Sequence, residues 1–177
     1  SATAVNRAFL KKNKLFDIKT IFVSNFISRV PLHFGCRLII HNKHIYITVG
    51  DRNQRFNAQN GKLHSGSVVR LLLDGSVPND NPKLNNWAPE NFSIGHRNPQ
   101  GIAINYKTNE IWINEHGPRG GDEINVLKSG SNYGWPIVTF GKEYSGGKIG
   151  DGVTSLKGFE DSIWYWSPSI APSCMTF

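Results

Sequence analysis

Short runs of β-branched and aromatic residues, separated by turn residues, recur along this chain and argue against a helical fold. No window holds the apolar period of a helix, and glycine and proline return too often for long helices. Runs of this length that are bounded by turn residues are typical of strands. The predicted strands are residues 20–23, 37–40, 45–49, 67–73, 101–105, 110–114 and 122–127. The sequence therefore predicts an all-β protein.

The predicted strands group into two similar units. Each unit has the order strand, turn, strand, polar loop, strand and glycine-containing turn, with hairpin loops at residues 41–44 and 106–109. The two hairpins start roughly 65 residues apart, which suits enlarged blades of a β-propeller. Repeated hairpins suit a β-sandwich equally well, and the pattern alone leaves both open. Two or three blades do not close a ring, so a propeller would be covered here only in part.

Composition sets the remaining limits on the class of protein. The 177 residues suffice for one domain with a core, and we assign residues 1–177 to a single domain. No apolar run approaches the roughly 18 residues of a membrane span. The formal net charge is +7, but the basic residues are scattered, and the dense run at residues 11–14 is interpreted as a solvated loop. We therefore expect neither a membrane span nor a nucleic-acid partner.

Cys36 and Cys174 are too few for a disulfide scaffold and are predicted to be small buried residues.

Polar, charged and turn-forming residues crowd together at residues 95–101, 114–125 and 132–136. A packing scaffold does not need such crowding, whereas a site for an anionic ligand and a hard cation does. Arg97 offers a planar fork for carboxylate or quinone oxygens, and Asn98 adds a donor and an acceptor. A surface turn with a structural arginine is the alternative for this pair.

The segment around Gly117 and Pro118 predicts a sharp turn. Carbonyl oxygens on such a turn, with carboxylates nearby, are the ligands that calcium prefers. The segment lacks the spacing of an EF-hand loop, so calcium is one interpretation. The other is that Asp122 and Glu123 form a solvated acidic pair.

His33 lies just before a predicted strand, close to Gly35 and among apolar neighbours. Such surroundings favour a neutral imidazole, which is competent as a general base. A histidine that only packs in the core or lies on the surface is the alternative. The dense aromatic residues of the second half are typical of a planar ligand's pocket and also of packing between blades.

Six motifs in this order resemble the soluble quinoprotein aldose dehydrogenases of the glucose/sorbosone dehydrogenase family. The resemblance covers nearly the whole chain, and its last three motifs are long and specific. The motifs are HFGCRL at residues 33–38, ITVGD at 47–51, a segment from 69 to 82, GHRNPQG at 95–101, NEHGPRGGDEIN at 114–125 and NYGWP at 132–136.

The resemblance implies a six-bladed β-propeller, of which this chain covers roughly three blades. It implies oxidation of an aldose at its anomeric carbon to a lactone, with pyrroloquinoline quinone and calcium as cofactors and an external electron acceptor as partner. It also implies a periplasmic or secreted location. Family members are about twice as long, so we expect this chain alone to show little or no activity.

The resemblance also implies roles for particular residues. His33 falls on the base that takes the sugar's hydroxyl proton, and Arg97 falls on the group that stabilises charge on the quinone. The other implied contacts are Asn98 and Tyr144 for the cofactor, Gly117 and Pro118 for a first calcium, and Glu123 and Tyr133 for a second, structural calcium.

Two further functions stay open at this point. One is a non-catalytic propeller module that binds protein or glycan, which would have no need of a base together with quinone contacts. The other is a calcium-dependent lactonase-type propeller, which needs acidic ligands on several blades.

Overall fold

The computed structural model describes residues 1–177 and contains eleven strands and one short 3-10 helix, so the all-β prediction is confirmed. No helix is long and apolar enough to cross a membrane. The 3-10 helix is Arg55–Gln59. The strands are β1 (Ala4–Lys11), β2 (Lys14–Val23), β3 (Gly35–His41), β4 (His44–Val49), β5 (Ser67–Leu72), β6 (Asn91–Ile94), β7 (Pro99–Asn105), β8 (Glu110–Glu115), β9 (Asp122–Val126), β10 (Ser131–Asn132) and β11 (Trp164–Trp166).

The strands form three sheets that follow one another along the chain. Strands β1 and β2 form an antiparallel hairpin. Strands β3, β4, β5 and β6 form an antiparallel meander, to which β10 adds in parallel beside β6. Strands β7, β8, β9 and β11 form a second antiparallel meander. The two meanders correspond to the two repeated units of the sequence.

Tight two-residue turns join the strands of two hairpins. Asn42 and Lys43 turn between β3 and β4 with φ of 47° and 64°, and Lys12 and Asn13 turn between β1 and β2 with φ of 47° and 59°. Two successive residues with positive φ are the geometry of the two-residue turns that suit twisted hairpins. The prediction of a hairpin loop at 41–44 is confirmed, and the basic run at 11–14 forms the tip of a hairpin.

Three sequence predictions need correction. The predicted strands do not include β1, β6, β10 or β11, and β2 begins at Lys14, six residues before the predicted strand. The residues of β1 mix asparagine and arginine with apolar ones, so the run is less apolar than a typical buried strand. Cys36 and Cys174 are exposed free thiols, so the prediction that they are buried is wrong.

The middle sheet is buried on both faces. Ile45, Ile47, Val49, Val69 and Leu71 pack with Phe22 of the first hairpin on one side. Their sequence neighbours in β4 and β5, Tyr46 and Val68, point the other way and pack with Ile111, Ile113, Leu127 and Tyr133. Each such buried side chain contributes about 1.5–3 kcal/mol. Three sheets therefore stack in succession, and a two-sheet sandwich, which buries one face of each sheet, does not describe this chain.

The first strands of the two meanders lie side by side and are joined by polar contacts. Thr48 Oγ1 donates to the Pro99 carbonyl at 3.2 Å, and Arg37 Nε donates to the Gln100 carbonyl at 2.8 Å. This contact brings the loop before β3 next to the loop before β7. Those two loops carry His33 and the pair Arg97–Asn98.

Candidate functional site

His33 forms a hydrogen-bonded pair with a buried carboxylate. Its Nδ1 lies 2.6 Å from Asp51 Oδ1, and the Asp51 side chain is 1% exposed. The other oxygen, Asp51 Oδ2, accepts a hydrogen bond of 2.8 Å from Trp135 Nε1. A carboxylate held in this way fixes the imidazole ring and leaves Nε2, which has no hydrogen bond within the chain, free to act.

The backbone at His33 adopts the left-handed region, with φ of 49°, which non-glycine residues rarely occupy. Gly50 permits this, because a Cβ built there would lie 2.1 Å from the His33 carbonyl oxygen. Asp51 follows directly, and its backbone N–H donates to the Arg97 carbonyl at 2.8 Å. Gly50 and Asp51, which directly follow β4, therefore contact the backbones of both His33 and Arg97.

The Arg97 side chain is buried and its guanidinium binds the turn that follows β8. Nη1 donates to the carbonyls of His116 at 3.0 Å and Gly117 at 2.7 Å. The guanidinium carbon lies 5.4 Å from the centre of the Trp135 ring, within range of a cation–π contact. Arg97 Nε is buried without a partner in the chain. An unpaired buried donor is costly, so a ligand acceptor would be favoured here.

Asn98 joins the two loops. Its Oδ1 accepts the backbone N–H of Gly35 at 3.2 Å and Nε2 of Gln100 at 2.9 Å, while its carbonyl accepts the His116 N–H at 3.1 Å. Its Nδ2 makes no hydrogen bond within the chain. The structure thus brings His33, Arg97 and Asn98 into one network, although their roles stay predictions.

A buried polar chain behind Arg97 was not found from the sequence. Glu115 Oε2 accepts the Arg97 backbone N–H at 2.7 Å, and Glu115 Oε1 contacts His96 Nδ1 at 2.9 Å. His96 Nε2 continues to Ser93 Oγ at 2.9 Å. Glu115 therefore fixes the backbone that presents Arg97. In the sequence, the signal for this role was that Glu115 directly follows the predicted strand at residues 110–114.

The turn at Gly117 and Pro118 is held by Asp122, which is fully buried. Asp122 Oδ1 accepts the Gly117 N–H at 2.8 Å, and Oδ2 accepts from Ser169, Ile170 and Ala171 at 2.7–2.8 Å. A Cβ at Gly117 would lie 2.3 Å from two carbonyl oxygens, so the turn requires glycine. The alternative of a solvated acidic pair is wrong for Asp122, because its four donors replace water.

Glu123 and Tyr133 line one small cavity together with Glu115 and Gly117. Burial, together with the charges of Glu115 and Asp122, raises the pKa of Glu123 to about 8. Burial also raises the pKa of the Tyr133 phenol, which donates to the Val126 carbonyl at 2.6 Å. The cavity holds about 10 Å³, room for one water or ion.

The carboxylates of Glu115 and Glu123 would attract a cation into this cavity, but side chains alone do not complete its coordination. No group of three or more His, Cys, Asp or Glu side chains is arranged to hold a metal ion. Backbone carbonyls would have to supply the remaining oxygens, as the calcium prediction requires. The Gly117 carbonyl already accepts Arg97 Nη1 and keeps one lone pair.

Tyr144 lies at the mouth of the site. Its hydroxyl is 3.5 Å from Arg97 Nη2, and the residue is 72% exposed. It lines an open cleft of about 880 Å³, to which His33 does not contribute. The structure therefore places Tyr144 beside Arg97 and apart from the His33–Asp51 pair.

Comparison with known proteins agrees with the motifs. Residues 1–177 match the family profile described as Glucose / Sorbosone dehydrogenase. The chain is 43% identical over 169 residues to Aldose sugar dehydrogenase YliI of Escherichia coli (strain K12), covering 93% of this chain and 46% of that protein. It is 37% identical over 134 residues to Quinoprotein glucose dehydrogenase B of Acinetobacter calcoaceticus, covering 64% of this chain and 28% of that protein.

Solved structures show the same likeness. The apo-form of the soluble aldose sugar dehydrogenase from Escherichia coli superimposes with a TM-score of 0.92 at 41% identity, over 97% of this chain and 51% of that one. The PQQ-bound aldose sugar dehydrogenase from Streptomyces coelicolor superimposes with a TM-score of 0.79 at 27% identity, over 98% of this chain and 49% of that one. The chain thus spans about half the length of these Escherichia coli relatives.

Proposed function

Because the chain belongs to the glucose/sorbosone dehydrogenase family, we propose that it supplies the base and part of the quinone site of a quinoprotein aldose dehydrogenase. The reaction is oxidation of an aldose at its anomeric carbon to the lactone. The three successive sheets agree with the propeller fold of this family, and we propose six blades in the whole ring, roughly three of them in this chain. The single observation that carries the proposal is the network joining His33, Asp51, Trp135 and Arg97.

His33 is the proposed proton acceptor. With Nδ1–H donated to Asp51, the lone pair of the neutral ring lies on Nε2, the nitrogen without a partner in the chain. Nε2 takes the proton of the anomeric hydroxyl, and the Asp51 carboxylate stabilises the imidazolium that results. Trp135 keeps Asp51 oriented by its hydrogen bond to Oδ2. A general base in such a position contributes about 10²–10⁴-fold to the rate.

Arg97 and Asn98 are the proposed cofactor contacts. The unpaired Nε of Arg97 and the free Nδ2 of Asn98 are donors that suit quinone and carboxylate oxygens. Pyrroloquinoline quinone, when bound, supplies the acceptor for the hydride that leaves the anomeric carbon. Arg97 holds positive charge beside that acceptor in a partly buried place, where it is screened less than in water. Tyr144 closes the outer side of Arg97.

We propose calcium near the same turn, supported by charge balance. The carbonyls of Gly117 and Pro118 would bind one ion, and Glu123 with Tyr133 would bind another. Burial, together with the charges of Glu115 and Asp122, raises the pKa of Glu123, and a cation bound beside it would offset this cost of ionisation. Calcium bound there would favour ionised Glu123 and fix the turn that Arg97 contacts.

Quinone binding to the 177-residue chain tests the cofactor proposal without requiring activity. Trp135 lies beside Arg97, so bound quinone should quench its fluorescence. Arg97→Ala should weaken binding, whereas the matched control Arg29→Ala, an exposed arginine with no hydrogen bond, should not. His33→Ala should bind quinone with unchanged affinity, because the base acts on the sugar. Equal affinity of Arg97→Ala and the wild-type chain would remove Arg97 from the quinone site.

A further inference from the structure

Three cationic side chains lie in a row on one face of the chain. Arg119 and Lys142 exchange two backbone hydrogen bonds of 3.1 Å, and Lys142 also forms an antiparallel bridge with Lys148. Residues directly opposite each other in antiparallel pairs project to the same face, with Cβ atoms about 4.5–5.5 Å apart. The backbone register therefore forces these three residues, termed here the cationic ladder, to stand side by side.

The cationic ladder has no counter-charge. None of the seven ion pairs of the chain includes Arg119, Lys142 or Lys148. The carboxylate next in sequence to Lys142, that of Glu143, is bound to Arg55. Like charges directly opposite each other in a sheet are destabilising. An uncompensated row of this kind favours the binding of anions.

Two of the three ladder residues line the open cleft beside the proposed quinone site. Arg119 and Lys142 line this cleft of about 880 Å³ together with Tyr144 and Ser167. That volume suits a small molecule. Ser167 Oγ makes no hydrogen bond within the chain and so adds a neutral donor to the lining of the cleft. The charged residues that line the cleft are Arg119 and Lys142, and both are positive.

We infer that the cationic ladder and the cleft form a binding site for a small polyanion carrying carboxylate or phosphate groups. The site is separate from the base, because His33 does not line the cleft. It adjoins Arg97 through the Tyr144 hydroxyl, 3.5 Å from Nη2. Two sources share this chemistry: the carboxylates of pyrroloquinoline quinone, and a separate phosphorylated sugar. The inference does not require that the chain be a dehydrogenase.

Isothermal titration of the 177-residue chain with pyrophosphate, glucose 6-phosphate and pyrroloquinoline quinone tests the site. The variant Lys142→Gln/Lys148→Gln removes two charges from exposed side chains. The variant Lys11→Gln/Lys14→Gln is the matched control, because these lysines also stand opposite each other but at a hairpin tip without a cleft. Loss of these two exposed charges, one in the cleft lining and one beside it, should weaken anion binding about two- to thirtyfold in the ladder variant. The control should bind like the wild-type chain.

Each outcome decides between the possibilities. Loss of quinone binding together with that of the phosphates identifies the cofactor's carboxylates as a source. Loss of phosphate binding alone identifies a separate anion. Added salt should weaken both, since exposed charges are screened. Equal weakening in the hairpin control, or no anion binding to the wild-type chain at millimolar concentration, would overturn the inference. Circular dichroism of both variants checks that the fold is kept.

Discussion

Removing the indole N–H of Trp135 should destabilise the fold through Asp51. In Trp135→Phe the aromatic ring remains, but Asp51 Oδ2 loses the only donor that the chain gives it. The carboxylate is 1% exposed, so water does not readily replace that donor. A lost hydrogen bond to a buried charged group costs about 1.5–3 kcal/mol. The smaller ring, which packs against Ala58 and Ile149, costs about 1 kcal/mol more.

The expected loss for Trp135→Phe is therefore about 2.5–4 kcal/mol in the free energy of unfolding. Trp112→Phe is the matched control, because Trp112 Nε1 donates to an exposed Glu110 carboxylate at 3.2 Å. The control should stay within about 0.5 kcal/mol of the wild-type chain. Urea unfolding followed by far-ultraviolet circular dichroism measures both, independently of tryptophan fluorescence.

A double-mutant cycle with Asp51→Ala separates the hydrogen bond from the ring. If the Trp135–Asp51 contact carries the loss, the two substitutions should be non-additive by at least about 1 kcal/mol. Additive effects, or a loss of less than about 0.5 kcal/mol for Trp135→Phe, would show that Trp135 does not hold Asp51. In that case the orientation of His33 would need another explanation.

Three further predictions concern pH and backbone space. Burial lowers the pKa of His64 despite its contact with Glu90, so the unfolded chain binds more protons than the folded chain at acid pH. The free energy of unfolding should therefore fall as pH drops below about 6.5. His64→Gln should reduce this pH dependence when it is measured by thermal unfolding. The pKa of Glu123 is raised, so without calcium its contribution to stability is present at acid pH and is lost as pH rises from about 4.5 through 8. Glu123→Gln should flatten that decline in EDTA and abolish any stabilisation by added calcium, and a wild-type slope in the variant would refute the assignment. Gly50→Ala should displace the His33 backbone, because the new Cβ would lie 2.1 Å from the His33 carbonyl oxygen. The free energy of unfolding should fall by more than about 2 kcal/mol. An unchanged free energy of unfolding would contradict the observed packing.

Local patterns were sufficient for most of the strands. The runs that became β4 and β5 are rich in Ile and Val, and Asn42, in the turn between β3 and β4, is of a type that accepts positive φ. Strand β1 was missed because its residues mix polar and apolar types without a clear alternation. Strand β6 was missed because it is four residues long and half polar.

The sequence indicates candidate residues for the site, but it does not indicate most of the contacts that connect them. Arg97 and Asn98 are adjacent in sequence, so their shared loop was evident. The contact of Trp135 with Asp51 joins residues 84 positions apart, and no local pattern encodes it. The burial of Asp122 depends on donors 47–49 positions later, which the sequence alone gave no reason to place there. Contacts of this kind follow from the stacking of successive sheets.

The role of His33 is tested most directly by sugar oxidation in a complete ring. In a chimera, this chain replaces the matching segment of the Escherichia coli aldose sugar dehydrogenase, and dye reduction with glucose is measured at saturating quinone and calcium. His33→Ala should lower kcat by about 10²–10⁴-fold with quinone affinity unchanged, while His41→Ala at the far end of β3 should leave both unchanged. A His33→Ala chimera with kcat within about twofold of the parent chimera would contradict the assignment of His33 as the base.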